Sequence, residues 1–186
     1  LAVGAVVIGR NEGVRLMKCL ASLSESVAQI VYVDSGSTDN SVERARMMGV
    51  SVVTLDMSVP FTAARARNEG AACLFQQFPN NRYIQFVDGD CEVQPDWVEQ
   101  AYSFMESHTD YAVACGRRRE RYPGNSIYNQ LCDIEWDTPI GDALSCGGDA
   151  LIGAQAFQEV GGYNGKLIAG EEPEMCFRLR RKGWGI

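Results

Sequence analysis

Tyr83-Ile84-Gln85-Phe86-Val87-Asp88-Gly89-Asp90 is an apolar run that empties into two carboxylates separated by one glycine. Its first five residues are of the types that fill buried strands. Asp88 closes the strand, Asp90 follows two residues later, and Gly89 allows a tight backbone path that lets both carboxylates converge on one hard cation. The same letters also spell an ordinary polar turn closed by Asx-type hydrogen bonds. The rest of the chain has to decide between them.

Upstream of this stretch, short Val/Ile-rich runs alternate with helical spacing. Val3 to Ile8 reads as a buried strand, followed by Asn11 as an N-cap and by Leu16, Leu20 and Leu23 on one helix face. Ile30 to Val33 is a second strand. It ends at Asp34-Ser35-Gly36-Ser37-Thr38-Asp39, where Ser37 or Asp39 caps a helix that runs to Gly49. Val50 to Leu55 reads as a third strand, Thr62 to Phe78 as a helix, and Tyr83 to Val87 as the fourth strand. Pro95 opens another helix, and Tyr111 to Cys115 is a further strand. Such alternation predicts an α/β fold: a central, mostly parallel mixed sheet flanked by helices. The second half is less regular. Arg117 to Arg121 holds four arginines and a glutamate, Tyr122 to Gly148 lacks a period and reads as a functional loop, and a last helix starts near Glu171.

Composition narrows the function. The 186 residues, 46% of them hydrophobic, suit one domain with a substantial core, and the formal charge of -7 argues against a nucleic-acid partner. Seven cysteines without a CxxC pair read as reduced thiols of a cytoplasmic protein. A single histidine, His108, excludes multi-histidine metal sites and reads as a surface or capping residue. No apolar run is long enough to span a bilayer. The chain starts inside a strand and stops at Gly183-Trp184-Gly185-Ile186 without a terminating signal, which reads as a core cut short at its C-terminus.

In an open parallel sheet, ligands gather beyond the carboxyl ends of the strands. Asp34 and Asp88 both lie there. Asp34, acceptor-only when ionised, suits a ribose or nucleobase, or else caps the next helix. Arg65 and Arg67 are two apart on a helix, roughly 200° around it, so one faces a ligand phosphate and the other solvent. Glu171, Glu172 and Glu174 crowd one helix start. They suit the helix dipole, and they also supply a general-base candidate, since crowding and burial raise a carboxylate pKa. Gly147-Gly148-Asp149 combines a flexible backbone with one more acid, and Trp136 is either a sugar-stacking surface or packing.

In this order the motifs resemble the family-two inverting glycosyltransferases of GT-A fold. The resemblance runs from Val3 through Trp184 and rests on Arg10-Asn11-Glu12, Val33 to Asp39, Ala66-Arg67-Asn68-Glu69-Gly70, Phe86 to Asp90, Gly147-Gly148-Asp149, Val160-Gly161-Gly162-Tyr163, and Gly170-Glu171-Glu172-Pro173-Glu174. It implies a single catalytic domain over 1–186, with 1–115 as the nucleotide-binding half and 116–186 as the acceptor and catalytic half. It implies nucleotide contacts from Asp34, Arg67, Asp88, Asn11 and Ser37, and a divalent metal, Mn2+ or Mg2+, at Asp90 and Asp88. Glu172 falls on the catalytic base with Glu171 beside it, and Gly147, Gly148, Asp149 and Trp136 fall near the donor sugar and acceptor.

The expected reaction moves a hexose from a nucleoside-diphosphate sugar, UDP-linked first and GDP-mannose second, onto a carbohydrate or lipid-linked acceptor. The expected setting is polysaccharide biosynthesis in the cytoplasm or at the inner membrane face. Two departures stand out. Asp34-Ser35 replaces the family's common Asp-Asp, and Glu172 stands where aspartate is usual. The alternatives are a catalytically silent sugar-nucleotide module and a nucleotidyltransferase, the latter disfavoured by the glycine-poor Gly9-Arg10-Asn11-Glu12-Gly13 loop. A dinucleotide-binding enzyme is weaker still, because no G-x-G-x-x-G follows the first strand.

Overall fold

The computed structural model describes residues 2–186. A six-stranded sheet runs through it in the order β3-β2-β1-β4-β6-β5. Strands β1 (Val3–Gly9), β2 (Gln29–Asp34), β3 (Ser51–Thr54) and β4 (Tyr83–Asp88) are mutually parallel, and β6 (Ala150–Gly153) pairs antiparallel with both β4 and β5 (Val113–Cys115). β5 therefore points the same way as β4, and β6 alone runs backwards. The parallel, mixed α/β architecture expected from the sequence is the one observed.

Period-two alternation divides β1 between the two faces. Val6 and Ile8 join one core with α3 (Ala63–Gln77) and α7 (Glu171–Arg181), through Ala64, Ala66, Leu74, Met175 and Leu179. Ala5 and Val7 join the opposite core with Leu16, Cys19, Leu20 and Leu23 of α1 (Val14–Leu23) and Ala45 of α2 (Ser41–Met47). Gly70 lets α3 lie directly on the sheet, since a Cβ there would come within 2.4 Å of Val6 Cγ1. α4 (Trp97–Ser107) covers the edge near β6, where Val98, Ala101 and Met105 meet Leu151, and α6 (Ala154–Glu159) follows β6 directly.

Several sequence expectations need correction. Asn11 is not an N-cap: it has φ 56, α1 begins only at Val14, and the Asn11 side chain serves another loop. Neither Ser37 nor Asp39 is the N-cap of α2, which is Asn40, although Asp39 Oδ1 accepts from Ser41 N. Pro95 precedes α4 rather than opening it, because Asp96 takes a left-handed φ of 65 in between. β5 begins at Val113, and Tyr111 instead bridges to Gly185. The 122–148 stretch is not all loop. It contains a 3-10 turn at Pro123–Asn125 and the helix α5 (Ile127–Glu135), which Ser126 caps by accepting from Asn129 N. The stretch does carry a short helical spacing, at Ile127, Leu131 and Ile134, but no residue of α5 is buried, so that spacing faces no core. His108 is the C-cap of α4 and stacks on Phe104. No helix among the described residues is long and apolar enough to cross a membrane.

Candidate active site

The carboxyl ends of β1, β2 and β4 and the start of β6 share one edge of the sheet, because the antiparallel β6 begins where its parallel neighbours finish. Three groups of side chains meet there: the loops after β1 and β2, the Asp88-Gly89-Asp90 turn, and the start of α7.

The first group forms a stitched pair of loops. Asn11 Oδ1 accepts from the amides of Thr38 (2.7 Å) and Asp39 (3.3 Å), while Asn11 N donates to Ser37 Oγ at 2.9 Å. Asp34 is only 2% exposed, and its carboxylate accepts from the Tyr32 hydroxyl and from the amides of Gly36 and Ser37. Asp34 thus folds its own loop from within. The same hydrogen bond to Asp34, with burial as the leading cause, raises the pKa of Tyr32. Asn11, Ser37 and Asp34 are therefore brought together, with Asn11 and Ser37 on the outside.

At the centre lies Arg67, whose side chain is 3% exposed. Its Nη2 sits 2.9 Å from Asp88 Oδ1, and its Nη1 sits 2.8 Å from Glu171 Oε1 and 3.1 Å from Glu172 Oε1. The guanidinium lies 5.6 Å from the Tyr163 ring centroid, and Asn68 holds Tyr163 by bonding both its backbone N and O. Burial alone would push the Arg67 pKa down, yet Asp88, Tyr163, Glu172 and Glu171 together hold it above the ordinary arginine value. Arg67 is the countercharge that joins the end of β4 to the start of α7. Arg65, two residues away, donates to the carbonyls of Val59 and Asp56 and pins that loop instead of facing solvent freely.

The three glutamates have separate fates. Glu171 is buried against Arg67, with 6% of its side chain exposed, whereas Glu172 retains 16%. Burial raises the Glu172 pKa, the Arg67 charge opposes this, and Glu171 and Asp88 add to the rise. Glu174 turns away to pair with Arg178, which also donates to the carbonyls of Val160 and Gly162. Glu174 thus stands apart from the Arg67 cluster.

Gly148 is packed on the Arg67–Asp88 pair, since a Cβ would fall 2.5 Å from Arg67 Nη2 and 3.0 Å from Asp88 Oδ2. Asp149 Oδ1 accepts from Asp88 N at 3.2 Å, and its Oδ2 takes Nε and Nη2 of Arg118 at 2.8 and 2.6 Å. Burial, then Asp88, pushes the Asp149 pKa up against the pull of Arg118. Gly147 lies beside the same arginine, and the Trp136 ring carries the Arg118 guanidinium 5.3 Å from its centroid. The sequence motifs assign no role to Arg118, Tyr163 or Asn68. Arg118 stood in a conspicuous basic run, while the other two belonged to recognised motifs without an assigned task.

Asp90 is exposed, and its one hydrogen bond among the described residues comes from the Cys91 thiol. Asp88 and Asp90 offer hard oxygen donors suited to Mn2+ or Mg2+. No group of three or more His, Cys, Asp or Glu side chains that could hold a metal occurs among the described residues. The donor set therefore fits a cation shared with a ligand's oxygens and water, and does not fit an all-protein cage.

The family model for glycosyl transferase family 2 matches residues 5–147, most of the chain and all of the strand-end motifs through Gly147. The chain belongs to glycosyl transferase family 2. Glycosyltransferase AglE of Haloferax volcanii is 22% identical to it over 99% of this chain and 63% of that protein. A TPR repeat-containing protein of Synechococcus elongatus is 27% identical over 82% of this chain and 37% of that protein.

Among solved structures, this family 2 chain superposes on the mannosyltransferase PcManGT from Pyrobaculum calidifontis, in complex with GDP-Man and Mn2+. The TM-score is 0.73 and the identity 16%, over 99% of this chain and 53% of that one. Glucosyl-3-phosphoglycerate synthase from Mycobacterium tuberculosis, in complex with UDP, gives a TM-score of 0.70 and 18% identity, over 97% of this chain and 65% of that one. The fold is that of the GT-A glycosyltransferases. The chain spans less than two-thirds of the length of each of these proteins. The helix α7, with Glu171 and Glu172, lies beyond the family match, so its place in the site rests on the Arg67 contacts.

Proposed function

We propose that this chain is the catalytic region of an inverting glycosyltransferase that moves a sugar from a nucleoside-diphosphate sugar to an acceptor hydroxyl by direct displacement. A UDP-sugar is the favoured donor and GDP-mannose the second; one structural neighbour is described in complex with UDP and another with GDP-Man. The observation that carries the reading is the double hold of Arg67 on Asp88 and on the Glu171–Glu172 pair. It ties the strand end suited to a diphosphate to a half-buried carboxylate suited to deprotonation through one buried guanidinium.

In this mechanism Glu172 accepts the proton of the acceptor hydroxyl as its oxygen bonds to the anomeric carbon, and the bond from that carbon to the diphosphate oxygen breaks. The nucleoside diphosphate leaves with the electron pair, and a single displacement inverts the anomeric centre. A raised pKa suits Glu172 to the role, because a base poised nearer neutrality takes a proton more effectively than an ordinary carboxylate. Glu171, more deeply buried, shares the Arg67 charge with Glu172, which stays the more exposed of the two carboxylates. Asp34, Asn11 and Ser37 shape and present the nucleotide loops, and Gly147, Gly148, Asp149 and Trp136 line the donor-sugar and acceptor side. When bound at Asp88 and Asp90, a divalent cation supplies charge neutralisation for the diphosphate.

The test is a screen of sugar nucleotides for nucleoside diphosphate release, with and without Mn2+ or Mg2+. Metal-stimulated release from at least one donor is expected. Metal-dependent nucleotide binding with no release from any donor would point to a silent module, and pyrophosphate release from a nucleoside triphosphate would point to a nucleotidyltransferase.

A further inference from the structure

Two arginines flank the Asp88 carboxylate, and they are not equivalent. Arg67 meets Oδ1 from below, almost wholly buried, with both terminal nitrogens committed to carboxylates. Arg118 approaches Oδ2 from the other side, its Nη2 3.8 Å away, with a third of its side chain exposed.

Arg118 reaches this place through the geometry of the segment that follows β5. From Gly116 to Glu120 the chain is neither helix nor strand, and its side chains alternate in direction as in extended backbone. Arg117 and Arg119 turn outward to α5 and the residues after it: Arg117 Nη1 lies 3.0 Å from Asp137, and Arg119 donates from Nε and Nη2 to Asp133 at 2.9 and 3.1 Å. Arg118, between them, turns inward to Asp149 and Asp88. Asp149 holds its edge and Trp136 supports its face, so the guanidinium is oriented before any ligand arrives. Its Nη1 meets no protein acceptor among the described residues.

The charge balance of this rim of the sheet asks for such a group. Asp88, Asp90, Asp149 and Glu172 all border it, and a diphosphate entering that field is repelled unless positive charge faces it. A planar guanidinium with unengaged N–H donors matches phosphate oxygens in shape as well as charge. We propose that Arg118, and not Arg67, is the arginine that binds the donor diphosphate and stabilises the charge that develops on it as the sugar departs. Arg67 is then an internal countercharge, and Asp149 is the positioning residue that aims Arg118. This inference rests on the reading of the site as a nucleotide-sugar site.

The experiment is calorimetric titration of nucleoside diphosphates and of the corresponding nucleosides into the wild-type protein and into Arg118→Met, Arg118→Lys and Arg119→Met, each with and without Mn2+. Thermal unfolding of every variant is measured alongside. Arg118→Met is expected to weaken nucleoside diphosphate binding at least about tenfold, as loss of charged hydrogen bonds does. Nucleoside binding should be unchanged, and the loss should persist without metal. Arg118→Lys, which keeps the charge but not the fork, is expected to recover part of the affinity. Arg119→Met cuts the outward side of the same segment and is expected to leave diphosphate affinity within about threefold, since it faces α5. The inference is overturned if Arg118→Met binds the diphosphate as tightly as wild type, if nucleoside binding falls equally, or if Arg119→Met costs as much. A wild-type protein that binds no nucleoside diphosphate at all would remove the donor reading itself, and this inference with it.

Discussion

Replacing Arg67 by methionine keeps much of the side chain's length and removes its charge from a point where three carboxylates converge. Glu171 Oε1 at 2.8 Å, Glu172 Oε1 at 3.1 Å and Asp88 Oδ1 at 2.9 Å would all lose their partner at once. The three losses differ in weight. Asp88 has a third of its side chain exposed and regains water, so its share is small, whereas Glu171 at 6% has little access to solvent. Breaking a buried pair by removing one partner costs about 3–5 kcal/mol, and the lower end suits a cluster in which one of three anions rehydrates freely. At about 2–4 °C per kcal/mol for a chain of this size, the expected fall in Tm is about 6–12 °C.

A pH dependence separates this mechanism from simple loss of packing. Glu172 is already raised above its ordinary value of 4.5 by burial, against the pull of Arg67, and without that pull it rises further. Between 4.5 and its raised value the folded chain binds more protons than the unfolded chain, so stability falls as pH climbs through that window and is recovered below it. The variant's deficit should therefore be larger at about pH 8 than at about pH 5 in urea unfolding followed by circular dichroism. A deficit below about 1 kcal/mol at the higher pH, or one that does not shrink at the lower pH, would show that Arg67 does not carry the charge balance of the site.

Glu172→Gln should reduce sugar transfer by at least about 100-fold while nucleoside diphosphate binding is unchanged, and retained transfer would remove Glu172 as the base. In the wild-type protein the ionised form of Glu172 is the base, so the transfer rate should rise with pH through an apparent pKa above 4.5, and a pH–rate profile without that acid limb would contradict the assignment. Asp90→Asn should weaken Mn2+-dependent nucleotide binding by about tenfold or more in calorimetry and leave the metal-independent part alone. Gly148→Ala would place a Cβ 2.5 Å from Arg67 Nη2 and is expected to cost about 1–3 kcal/mol in urea unfolding. Gly165→Ala, with nothing within 4 Å, should be near neutral beside it.

The sheet was legible because buried parallel strands announce themselves: Val3 to Ile8, Ile30 to Val33 and, Gln85 apart, Tyr83 to Val87 are apolar on both faces, and both faces are in fact covered. Helix starts were read less well. Asn11 and Ser37 have the chemistry of caps, but each is engaged by the other's loop, 26 residues away along the chain, and a long-range partner leaves no local signal. The direction of β6 was equally hidden, since an apolar run of four residues reads the same both ways. In α5, Ile127, Leu131 and Ile134 keep a helical spacing while standing exposed, so the usual link between period and burial does not apply. The spacing of Arg65 and Arg67 showed that they face different ways. It could not show that Arg67 turns inward to acids 21 and 104 positions distant.

The backward run of β6 bears on how such a domain can diversify. β5 ends and β6 begins at the same rim of the sheet, so everything from Gly116 to Asp149 departs from that rim and returns to it. That excursion contributes only Cys146, with Ala143 packed beside it, to the three hydrophobic clusters, and α5 buries none of its residues. It is tied to the rest of the domain by Arg121 on Glu92, Arg118 beside Asp88, Asp149 on Asp88 N, Ala143 N on Ile186 O and Cys146 against Cys176, whereas Arg117 and Arg119 pair within the excursion itself. Length and composition can therefore change in its outer part, between Tyr122 and Gly141, while Arg118 and Gly147 to Asp149 at its base keep the Asp88 turn and the Arg67 cluster as they are. A single scaffold can accept a new partner molecule by exchanging the outer part of this arch, and a chimaera carrying a relative's 122–141 segment on the retained base is the natural unit in which to transplant selectivity.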